Sequence, residues 1–501
     1  MKYLVTSAEM KEYDNRTIER IGIPALVLME RAALAVRDEI CALTKLHHTC
    51  KKVLIAVGSG NNGADGLALG RLLCGEGYQV YIYECGSLDK TTDSYKKQRN
   101  ILQYYPVSFL KELKEIEAAY DFVVDGIFGV GLSRMVNEKY AQIIQRLNET
   151  KAIKIAVDIP SGIDATTGEV MGCAFRADLT VTFGFAKYGL YLYPGTEYAG
   201  KIVTASIGID ESSFFGDKPQ MFYYDENIVD LLPDRKKNGN KGTFGKVLLI
   251  AGWEHMAGAA ILCGKALLQT GAGMVKVFCS EENRTLLQCA FPEAMYGDAD
   301  SLLKDLDWAD VVVMGPGLGQ SAKAQEVLGN VLKEISVKEK RMVLDADALN
   351  LIPLNESLKE AVKACGARKV VMTPHMGELS RLYGESISYV KSHIMEVAKE
   401  TSLDYDSVMV CKDARTLIYE DAKPMCLNVV GNSGMATAGS GDVLAGIIGA
   451  LLAQGMDTYE AACVGVYLHA LAGDGAAQRV SEYGVTASRI ISQIEELMKG
   501  S

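Results

Sequence analysis

The segment VLIAVGSGNNGADG, residues 53–66, decides the class of fold in the first part of the chain. Its β-branched apolar run, residues 53–57, stops at glycines, and an apolar pattern of helical length follows over residues 66–75. A buried strand, a glycine-rich turn and a helix form the first half of a βαβ unit on a parallel sheet. Ligands of open parallel sheets bind beyond the carboxyl ends of the strands, so polar residues after each apolar run are site candidates.

The same alternation divides the chain into two parts. In the first part, further β-branched or aromatic runs each end at Gly, Asp or Glu, and they lie at residues 80–83, 122–124 and 155–157. A polar segment, residues 210–241, interrupts the alternation. A second α/β series follows it, with apolar runs at residues 247–251, 311–314, 342–344, 370–372 and 408–411. The sequence predicts two different α/β domains, residues 1–220 and 221–501.

The composition narrows the classes of function. A net charge of -11 argues against nucleic acid as a partner, because phosphate backbones need a basic face. The most apolar stretch, residues 443–452, is too short to span a bilayer, so we expect a buried helix and no membrane partner. The 12 cysteines form no CxxC pair, which indicates reduced thiols and a cytoplasmic location. We also expect a homo-oligomer, whose size the residues do not indicate.

The first glycine-rich turn has two interpretations. Gly58, Gly60 and Gly63 fit the dinucleotide fingerprint GxGxxG, and Glu84 lies about where the ribose-binding acid would be, which favours an NAD-binding Rossmann domain. Asp65 argues against it, because a carboxylate at the start of the helix repels a pyrophosphate.

Oxygen-bearing side chains follow the next strands. Asp125 and Asp158 each end an apolar run, so Asn62, Asp125 and Ser161 could converge around a monovalent or hard divalent cation. Asp158 is also a candidate general acid or base, since a carboxylate above a sheet in a closed cleft is readily shifted in pKa. The simpler interpretation is that Asp125 and Asp158 cap the helices that follow them.

The second half is marked by GNSGMATAGSGD, residues 431–442. The apolar residues after it have helical spacing, which places residues 439–442 at a helix N-terminus. Free amide groups and the positive end of the helix dipole create an anion site there. Asp442 could serve as a base beside a bound phosphate, and the alternative is a glycine-rich turn with an aspartate cap.

Three ordered motifs in the first half, GSGNNGADG, DGIFGVGLSR and DIPSGIDATTG, resemble the epimerase domain of NAD(P)H-hydrate repair enzymes over about residues 1–215. The resemblance implies a Rossmann-like three-layer sandwich that equilibrates the R and S forms of hydrated NADH or NADPH. It implies potassium ligands at Asn62, Asp125 and Ser161, and a contact between Asp158 and the nicotinamide-derived ring. The other implied contacts with the hydrated nucleotide are Asn61, Asn62, Gly63, Ala64, Asp65, Gly129, Val130, Gly131, Leu132, Ser133, Arg134 and Met135.

The second half resembles a different family. Its residues 439–442 are similar to the GAGD motif of ribokinase-like kinases, with Ser440 in the alanine position. With KGTFGK (241–246), GPGLG (315–319) and TPHMGE (373–378), residues 225–500 resemble the ribokinase-like, ADP-dependent NAD(P)H-hydrate dehydratases. Implied substrate contacts are Ala259, Gly319, His375 and Asp442, with Ala260 as an alternative to Ala259. Implied ADP contacts are Lys412, Asp413, Ala414, Arg415, Thr416, Asn432, Ser433, Gly434, Gly439, Ser440 and Gly441, and magnesium is expected with the nucleotide.

Residues 253–255 and His375 are two further features of the second half that bear on its site. Trp253, Glu254 and His255 stand where the family has a small glycine or serine loop, and we expect them to alter the mouth of the site. His375 follows a strand, which favours a ligand contact over a solvated turn histidine.

The two resemblances together imply a metabolite-repair enzyme. Its first domain would interconvert the epimers, and its second would phosphorylate the ring hydroxyl from ADP so that phosphate can leave, giving NAD(P)H, AMP and phosphate. Two alternatives remain. One is a ribokinase-like small-molecule kinase fused to a Rossmann-like nucleotide-binding domain. The other is a non-catalytic nucleotide sensor, which would have no use for Asp158 and Asp442 as acid–base groups.

Overall fold

The computed structural model describes residues 1–47, 51–86, 88–116, 119–297, 299–338, 340–366 and 368–499. Contacts divide the chain into two compact units, one formed by Tyr3–Gln220 and the other by Met1–Lys2 with Met221–Ser501. Within the described ranges, no helix is both long and apolar enough to cross a membrane.

The first unit holds nine strands and seven α-helices among its described residues. The strands are β1 (Lys2–Val5), β2 (Lys52–Val57), β3 (Gln79–Glu84), β4 (Val107–Leu110), β5 (Phe122–Gly126), β6 (Ile153–Val157), β7 (Leu179–Phe183), β8 (Ala186–Lys187) and β9 (Lys201–Ala205). The helices are α1 (Ser7–Arg16), α2 (Ala25–His47), α3 (Asn61–Gly75), α4 (Asp93–Leu102), α5 (Glu138–Asn148), α6 (Tyr188–Tyr191) and α7 (Thr196–Ala199).

Seven of these strands form one parallel sheet in the order β4-β3-β2-β5-β6-β7-β9. The chain leaves β2 towards one edge and returns to the other side at β5, so the carboxyl ends of β2 and β5 form a topological switch point. Alternate residues of β2 pack on opposite faces, Val53 and Ile55 in one core with α2 to α4, and Leu54 in the other with α5. Helices therefore cover both faces, and the predicted three-layer architecture is confirmed.

The second unit contains a larger sheet. Its strands are β10 (Met221–Tyr223), β11 (Lys246–Ile250), β12 (Met274–Phe278), β13 (Met295–Gly297), β14 (Val311–Met314), β15 (Arg341–Leu344), β16 (Val370–Met372), β17 (Val408–Cys411), β18 (Leu417–Tyr419) and β19 (Met425–Leu427). Its helices are α8 (Ala257–Gln269), α9 (Glu281–Ala290), α10 (Leu302–Trp308), α11 (Ala322–Val337), α12 (Asp347–Leu351), α13 (Glu356–Cys365), α14 (Met376–Tyr383), α15 (Ile387–Ser392), α16 (Ile394–Tyr405), α17 (Ser440–Ala453), α18 (Thr458–Val480) and α19 (Ala487–Leu497).

The order of this sheet is β13-β12-β11-β14-β15-β16-β17-β18-β19-β10. Strands from β13 to β17 run parallel, and β18 is antiparallel to both of its neighbours. Helix α17 is buried along its length and packs tightly on α8, where a Cβ added at Gly446 would lie 2.5 Å from the carbonyl oxygen of Cys263. The predicted buried helix at residues 443–452 is confirmed, and tight packing accounts for its small residues.

Each apolar run predicted as a strand is a strand in the structure, with ends shifted by at most two residues. The helix predicted over residues 66–75 begins before Gly66. Helix α3 begins at Asn61, because Gly60 is in an extended conformation and the chain turns into the helix directly after it. Residues 61–65 are therefore the first turns of a helix and not part of a loop.

Candidate active sites

The glycine-rich turn of the first unit is shaped by its own backbone. A Cβ added at Gly63 would lie 1.9 Å from the carbonyl oxygen of Gly58, so the packing of α3 against the turn requires glycine even without a ligand. Glu84 is fully engaged elsewhere, because its Oε1 accepts hydrogen bonds from the Arg99 Nε and the Tyr95 hydroxyl, both at 2.7 Å. The interpretation as an NAD-binding Rossmann site thus loses its ribose-binding acid.

The switch point brings together the three residues predicted to hold a cation. The buried Asp125 carboxylate accepts hydrogen bonds from the Ser161 hydroxyl at 2.6 Å and the Ser161 amide at 2.7 Å. The Ser161 hydroxyl accepts from the Phe128 amide at 2.8 Å, and the Asn62 side-chain amide donates to the Phe128 carbonyl at 2.9 Å. Burial raises the pKa of Asp125 to about 6, although the Ser161 hydrogen bonds oppose that shift. Asp125 binds the loop after β6 and does not cap a helix.

The loop over residues 129–135 only partly joins this cluster. Gly129 lies against Asn62, since a Cβ added there would be 3.3 Å from the Asn62 Cγ. Ser133, Arg134 and Met135 are exposed. The remaining members of the segment, Val130, Gly131 and Leu132, lie in the same connection between β5 and α5.

Asp158 directly follows β6 and has a backbone φ of 68°, in the left-handed region that non-glycine residues rarely adopt. Its Oδ1 accepts a hydrogen bond at 2.5 Å from the Lys187 ammonium, which is completely buried. Asp65 is close enough for the two charges to interact, and burial followed by the charge of Asp158 raises the pKa of Asp65 well above its usual value. Asp14 behaves similarly, since burial and Asp158 raise its pKa while Lys187 opposes the shift.

The second unit presents its glycine-rich segment as predicted. Gly439 is the N-cap of α17 with φ of 84°, and a Cβ there would lie 2.4 Å from the Leu262 Cδ1. Ser440, Gly441 and Asp442 form the first turn, and the Ser440 hydroxyl lies 3.2 Å from the Nε2 of the buried His469. The Ser440 amide donates to the Thr437 carbonyl at 3.3 Å. This first turn of α17, called the cradle below, is where the sequence predicts a phosphate.

An ion pair between the buried Asp345 and the half-buried Lys412 lies beside the cradle. The Lys412 ammonium donates to the Asp345 Oδ1 at 2.7 Å, and the Thr373 hydroxyl donates to the same oxygen at 2.8 Å. A Cβ added at Gly441 would lie 3.3 Å from the Lys412 Nζ, so the ammonium group faces the start of α17. Lys412 thus places a positive charge at the cradle.

The charges around Asp442 shift its titration strongly. Burial, then the carboxylate of Asp345, raises the pKa of Asp442 to about 7, with a smaller contribution from Asp347 and opposition from Lys412. Burial alone would lower the pKa of Lys412, but the carboxylates of Asp345 and Glu378 raise it overall. A carboxyl group with a pKa near neutrality can both accept and release a proton at physiological pH.

His375 has a structural role that the sequence did not reveal. Its Nδ1 accepts hydrogen bonds from the amides of Gly377 at 2.9 Å and Glu378 at 3.2 Å, so it is the N-cap of α14. Neutral His375 therefore carries its proton on Nε2, which lies 3.4 Å from the Glu378 Oε1. The His375 side chain is 55% exposed. Burial raises the pKa of Glu378 to about 7.

The segment over residues 432–434 lines a cavity of about 960 Å³. The Asn432 side-chain amide donates to the Asp474 carboxylate at 2.8 Å, and the Gly434 amide donates to the Asn432 Oδ1 at 3.1 Å. Ser433 is hydrogen-bonded to Glu482. Ala436 and Thr437, just before the cradle, also line the cavity, so it adjoins the start of α17.

The other implied contacts lie at the carboxyl ends of β14 and β17 or on α8. The Gly319 amide donates to the Asp347 Oδ2 at 2.8 Å. The charge of the Asp347 carboxylate also acts on Asp442. Ala259 is 8% exposed and Ala260 is 0% exposed, so of the two only Ala259 has surface to offer a ligand. After Lys412, residues Asp413 and Ala414 are exposed, Arg415 is half-buried and Thr416 is buried.

The loop that contains Trp253 follows β11 and lies at the same edge of the sheet. The Trp253 amide donates to the Gly317 carbonyl at 2.7 Å, and the Asn283 side-chain amide donates to the Trp253 carbonyl at 2.6 Å. The Trp253 ring packs on Phe278 with centroids 5.7 Å apart, while Glu254 and His255 are exposed. The tryptophan therefore fastens the loop after β11 to the GPGLG loop.

Sequence reasoning missed Lys187, Asp14, Asp345, Asp347 and Asp474. Asp345 directly follows the apolar run at residues 342–344, so the rule applied to the other strand ends would have found it. Lys187 is a single charge in an otherwise apolar stretch, residues 179–192, which is a detectable signal. Asp14 and Asp474 lie on helices far along the chain from their partners, and only the fold brings them close.

Comparison with known proteins identifies relatives of both halves of the chain. The family model described as NAD(P)H-hydrate dehydratase matches residues 247–496, and the model described as YjeF-related protein N-terminus matches residues 25–189. A ribokinase-like superfamily protein of Enterococcus faecalis V583 is 32% identical, with a TM-score of 0.50, over 56% of this chain and 96% of that protein. An ADP/ATP-dependent NAD(P)H-hydrate dehydratase from Bacillus subtilis, co-crystallised with ATP and Mg²⁺, is 28% identical with a TM-score of 0.47 and covers 54% of this chain and 95% of that protein.

The fold and the two sites define a two-domain α/β enzyme whose second unit is ribokinase-like. The bifunctional NAD(P)H-hydrate repair enzyme of Coxiella burnetii is 34% identical over 504 residues, covering 99% of this chain and 100% of that enzyme. The chain belongs to the family of bifunctional NAD(P)H-hydrate repair enzymes.

Proposed function

We propose that this chain repairs hydrated NADH and NADPH, with an epimerase in residues 1–220 and a dehydratase specific for the S form in residues 221–501. The observation that carries the proposal is Asp442, a carboxyl group with a pKa of about 7 beside the half-buried Lys412 ammonium at a helix N-terminus. A base, a fixed positive charge and free backbone amides are the groups that phosphoryl transfer to a hydroxyl requires.

The dehydratase reaction begins at the ring hydroxyl of the hydrated nucleotide. Asp442 takes the hydroxyl proton, the oxygen attacks the β-phosphoryl group of ADP, and AMP leaves. Lys412 and the amides of the first turn of α17 stabilise the charge on the phosphoryl oxygens. Asp345 and Thr373 hold Lys412 in place for this purpose.

Elimination completes the repair. The electron pair of the ring nitrogen expels phosphate from the adjacent carbon, and loss of a proton from the next carbon forms the double bond of NAD(P)H. Hydroxide would be a poor leaving group from the same carbon, so the phosphoryl transfer has a chemical purpose. The products are NAD(P)H, AMP and phosphate.

We place ADP with its phosphates on the cradle and the rest of the molecule between residues 412–416 and the cavity at residues 432–434. Magnesium accompanies nucleotides and commonly needs one or two protein carboxylates beside the phosphates. Among the described residues no three Asp, Glu, His or Cys side chains are grouped to hold a metal alone. Asp345 and Asp347, whose charges both act on Asp442, are the carboxylates that would hold magnesium together with the phosphates of ADP. When bound, the metal would neutralise phosphate charge.

The cation site of the first unit fits potassium. The Asp125 carboxylate, the Ser161 hydroxyl, the Asn62 amide oxygen and the Phe128 carbonyl offer hard oxygen ligands with a single negative charge. We assign this site to potassium, which would neutralise Asp125 and attract nucleotide phosphates. Asn62 and Gly129 lie against each other at this site. We propose that residues 61–65 and 129–135 bind the hydrated nucleotide with its ring at Asp158.

Three further assignments complete the proposal. All 11 cysteines placed among the described residues are free, which supports a reducing, cytoplasmic location. The acidic charge supports small-molecule substrates and no nucleic acid partner. We also propose a homo-oligomer, to be checked by light scattering on the purified chain.

The dehydratase is tested by incubating the chain with the S form of hydrated NADH and ADP. The near-ultraviolet absorbance of the reduced ring should return, with one AMP and one phosphate formed for each NADH. Asp442→Asn should abolish the return, whereas Glu281→Gln, an exposed acid in the first turn of α9, should leave it unchanged. A chain that instead leaves a stable phosphorylated product would be an ordinary small-molecule kinase.

A further inference from the structure

Lys187 is a completely buried lysine with every hydrogen of its ammonium group engaged. It donates to the Asp158 Oδ1 at 2.5 Å, to the Thr182 hydroxyl at 2.9 Å and to the Phe183 carbonyl at 3.1 Å. A buried ammonium with three fixed acceptors has one orientation only. The lysine is therefore a rigid part of the site and does not reach out to a ligand.

The hydrogen bonds to Asp158 are distributed unequally between its two oxygens. Oδ1 accepts from Lys187, from the Thr182 hydroxyl at 3.1 Å and from the Phe183 amide at 3.3 Å. Oδ2 accepts no hydrogen bond from the part of the chain that the structure describes. One oxygen of the carboxylate is thus held by the protein, and the other is available to a substrate.

The surroundings of Asp158 would otherwise oppose its negative charge. Asp14 on α1 and Asp65 on α3 both interact with it, and the charge of Asp158 raises the pKa of each of them. The positively charged group in this cluster is Lys187, which ends β8. An adjacent ammonium favours the ionised form of a carboxyl group, whereas neighbouring carboxylates disfavour it.

We propose that Lys187 is a positioning residue for the epimerase, which holds Asp158 by Oδ1 so that Oδ2 takes the proton of the ring hydroxyl. The electron pair left on the hydroxyl oxygen forms a carbonyl as the bond between its carbon and the ring nitrogen breaks. The nitrogen keeps the electron pair of the broken bond and takes the proton from Oδ2. Rotation of the opened carbonyl and the reverse steps close the ring on its other face. Every proton and electron pair is returned, so no oxidant or reductant is needed.

The inference rests on the proposed epimerase function, and its test uses the full chain. Lys187→Met and Lys187→Arg are compared with the wild type by following R-to-S equilibration without ADP by chromatography between pH 5 and 9. We expect Lys187→Met to lower kcat at least tenfold at pH 7 with KM nearly unchanged, because Lys187 does not contact the substrate. The acidic limb of its profile should move to higher pH, since the variant lacks the ammonium group that favours the ionised form of an adjacent carboxyl group. Lys187→Arg, which restores the positive charge, should move the limb back.

The second unit provides an internal control, because dehydration of the S form should be equal in all variants. If Lys187→Met does not fold, Thr182→Val removes one hydrogen bond from each partner of the pair and should shift the limb in the same direction by a smaller amount. An unshifted limb, or a change in KM alone, overturns the inference while the wild type still epimerises. A wild-type chain that leaves the R form unchanged overturns the proposed epimerase and this inference together.

Discussion

Replacing Asp442 with asparagine should abolish dehydration and make the second unit more stable above neutral pH. In the folded chain burial and neighbouring carboxylates raise the pKa of Asp442 from 3.8 to about 7. An acid whose pKa is raised by folding lowers stability as it ionises, because the unfolded chain releases the proton more easily. This loss of stability is absent at pH values below the pKa of Asp442 in the unfolded chain and complete above its pKa in the folded chain. Asparagine does not ionise, so the variant does not lose this stability.

The size of the gain follows from the shift. A rise of about three units corresponds to about 4 kcal/mol at about 1.4 kcal/mol per unit. Asp442 is half-buried, and water and salt screen part of this energy, so we expect a gain of about 1–2 kcal/mol above pH 7. For a unit of this size that raises Tm by roughly 2–8 °C.

The assay is thermal unfolding of the full chain between pH 5 and 8, following the transition that ADP shifts upward. The Tm difference between Asp442→Asn and the wild type should grow with pH over this range. Glu281→Gln, at an exposed position, should show no such growth. A difference that is constant with pH, or a variant that is less stable at pH 8, would refute the reasoning about the buried charge.

Three further predictions separate structural from catalytic roles. His375→Asn should keep the cap of α14, whereas His375→Ala should lower the free energy of unfolding by about 1 kcal/mol. Both variants should raise the dehydratase KM. Equal unfolding free energies in the two variants would contradict the role of His375 as a cap. Asp345→Asn should release Lys412 and lower the dehydratase kcat at least tenfold. The acidic limb of the pH–rate profile should also move to lower pH, because the variant lacks a carboxylate that raises the pKa of Asp442. An unmoved limb would count against the ion pair. Asp125→Asn should remove any difference between epimerisation rates in potassium and sodium buffers and spare the dehydratase, whereas a retained potassium effect would place the cation elsewhere.

Local signals in the sequence predicted most of the framework. The runs at residues 53–57 and 311–314 are long, β-branched and bounded by glycine or aspartate, so their strands and the polar residues after them could be located. The three-residue strands β18 and β19 were not predicted, because three residues show no periodicity. Helix α3 began earlier than predicted because Asn61 and Asn62 are weak helix formers, which the packing of Gly63 against Gly58 overrides.

The ion pairs of the two sites show where sequence reasoning stops. Asp158 and Asp442 were predicted from their positions after a strand and in a helix's first turn. The two lysine partners were not equally predictable. Lys412 was predicted as a site residue from the family resemblance, whereas Lys187 lies 29 positions from Asp158 with no motif around it. Only the parallel pairing of β6 with β7 and the turn into β8 bring that ammonium to the carboxylate.

The central claim is that one chain interconverts both epimers and dehydrates one of them. The direct measurement is the final absorbance of the reduced ring after a mixture of R and S hydrated NADH is incubated with the full chain and excess ADP. The account predicts complete conversion of the mixture to NADH, with Asp158→Asn slowing the conversion of the R portion only. Conversion that ends at the S portion with the wild-type chain, over a time in which the hydrate does not epimerise on its own, would contradict it.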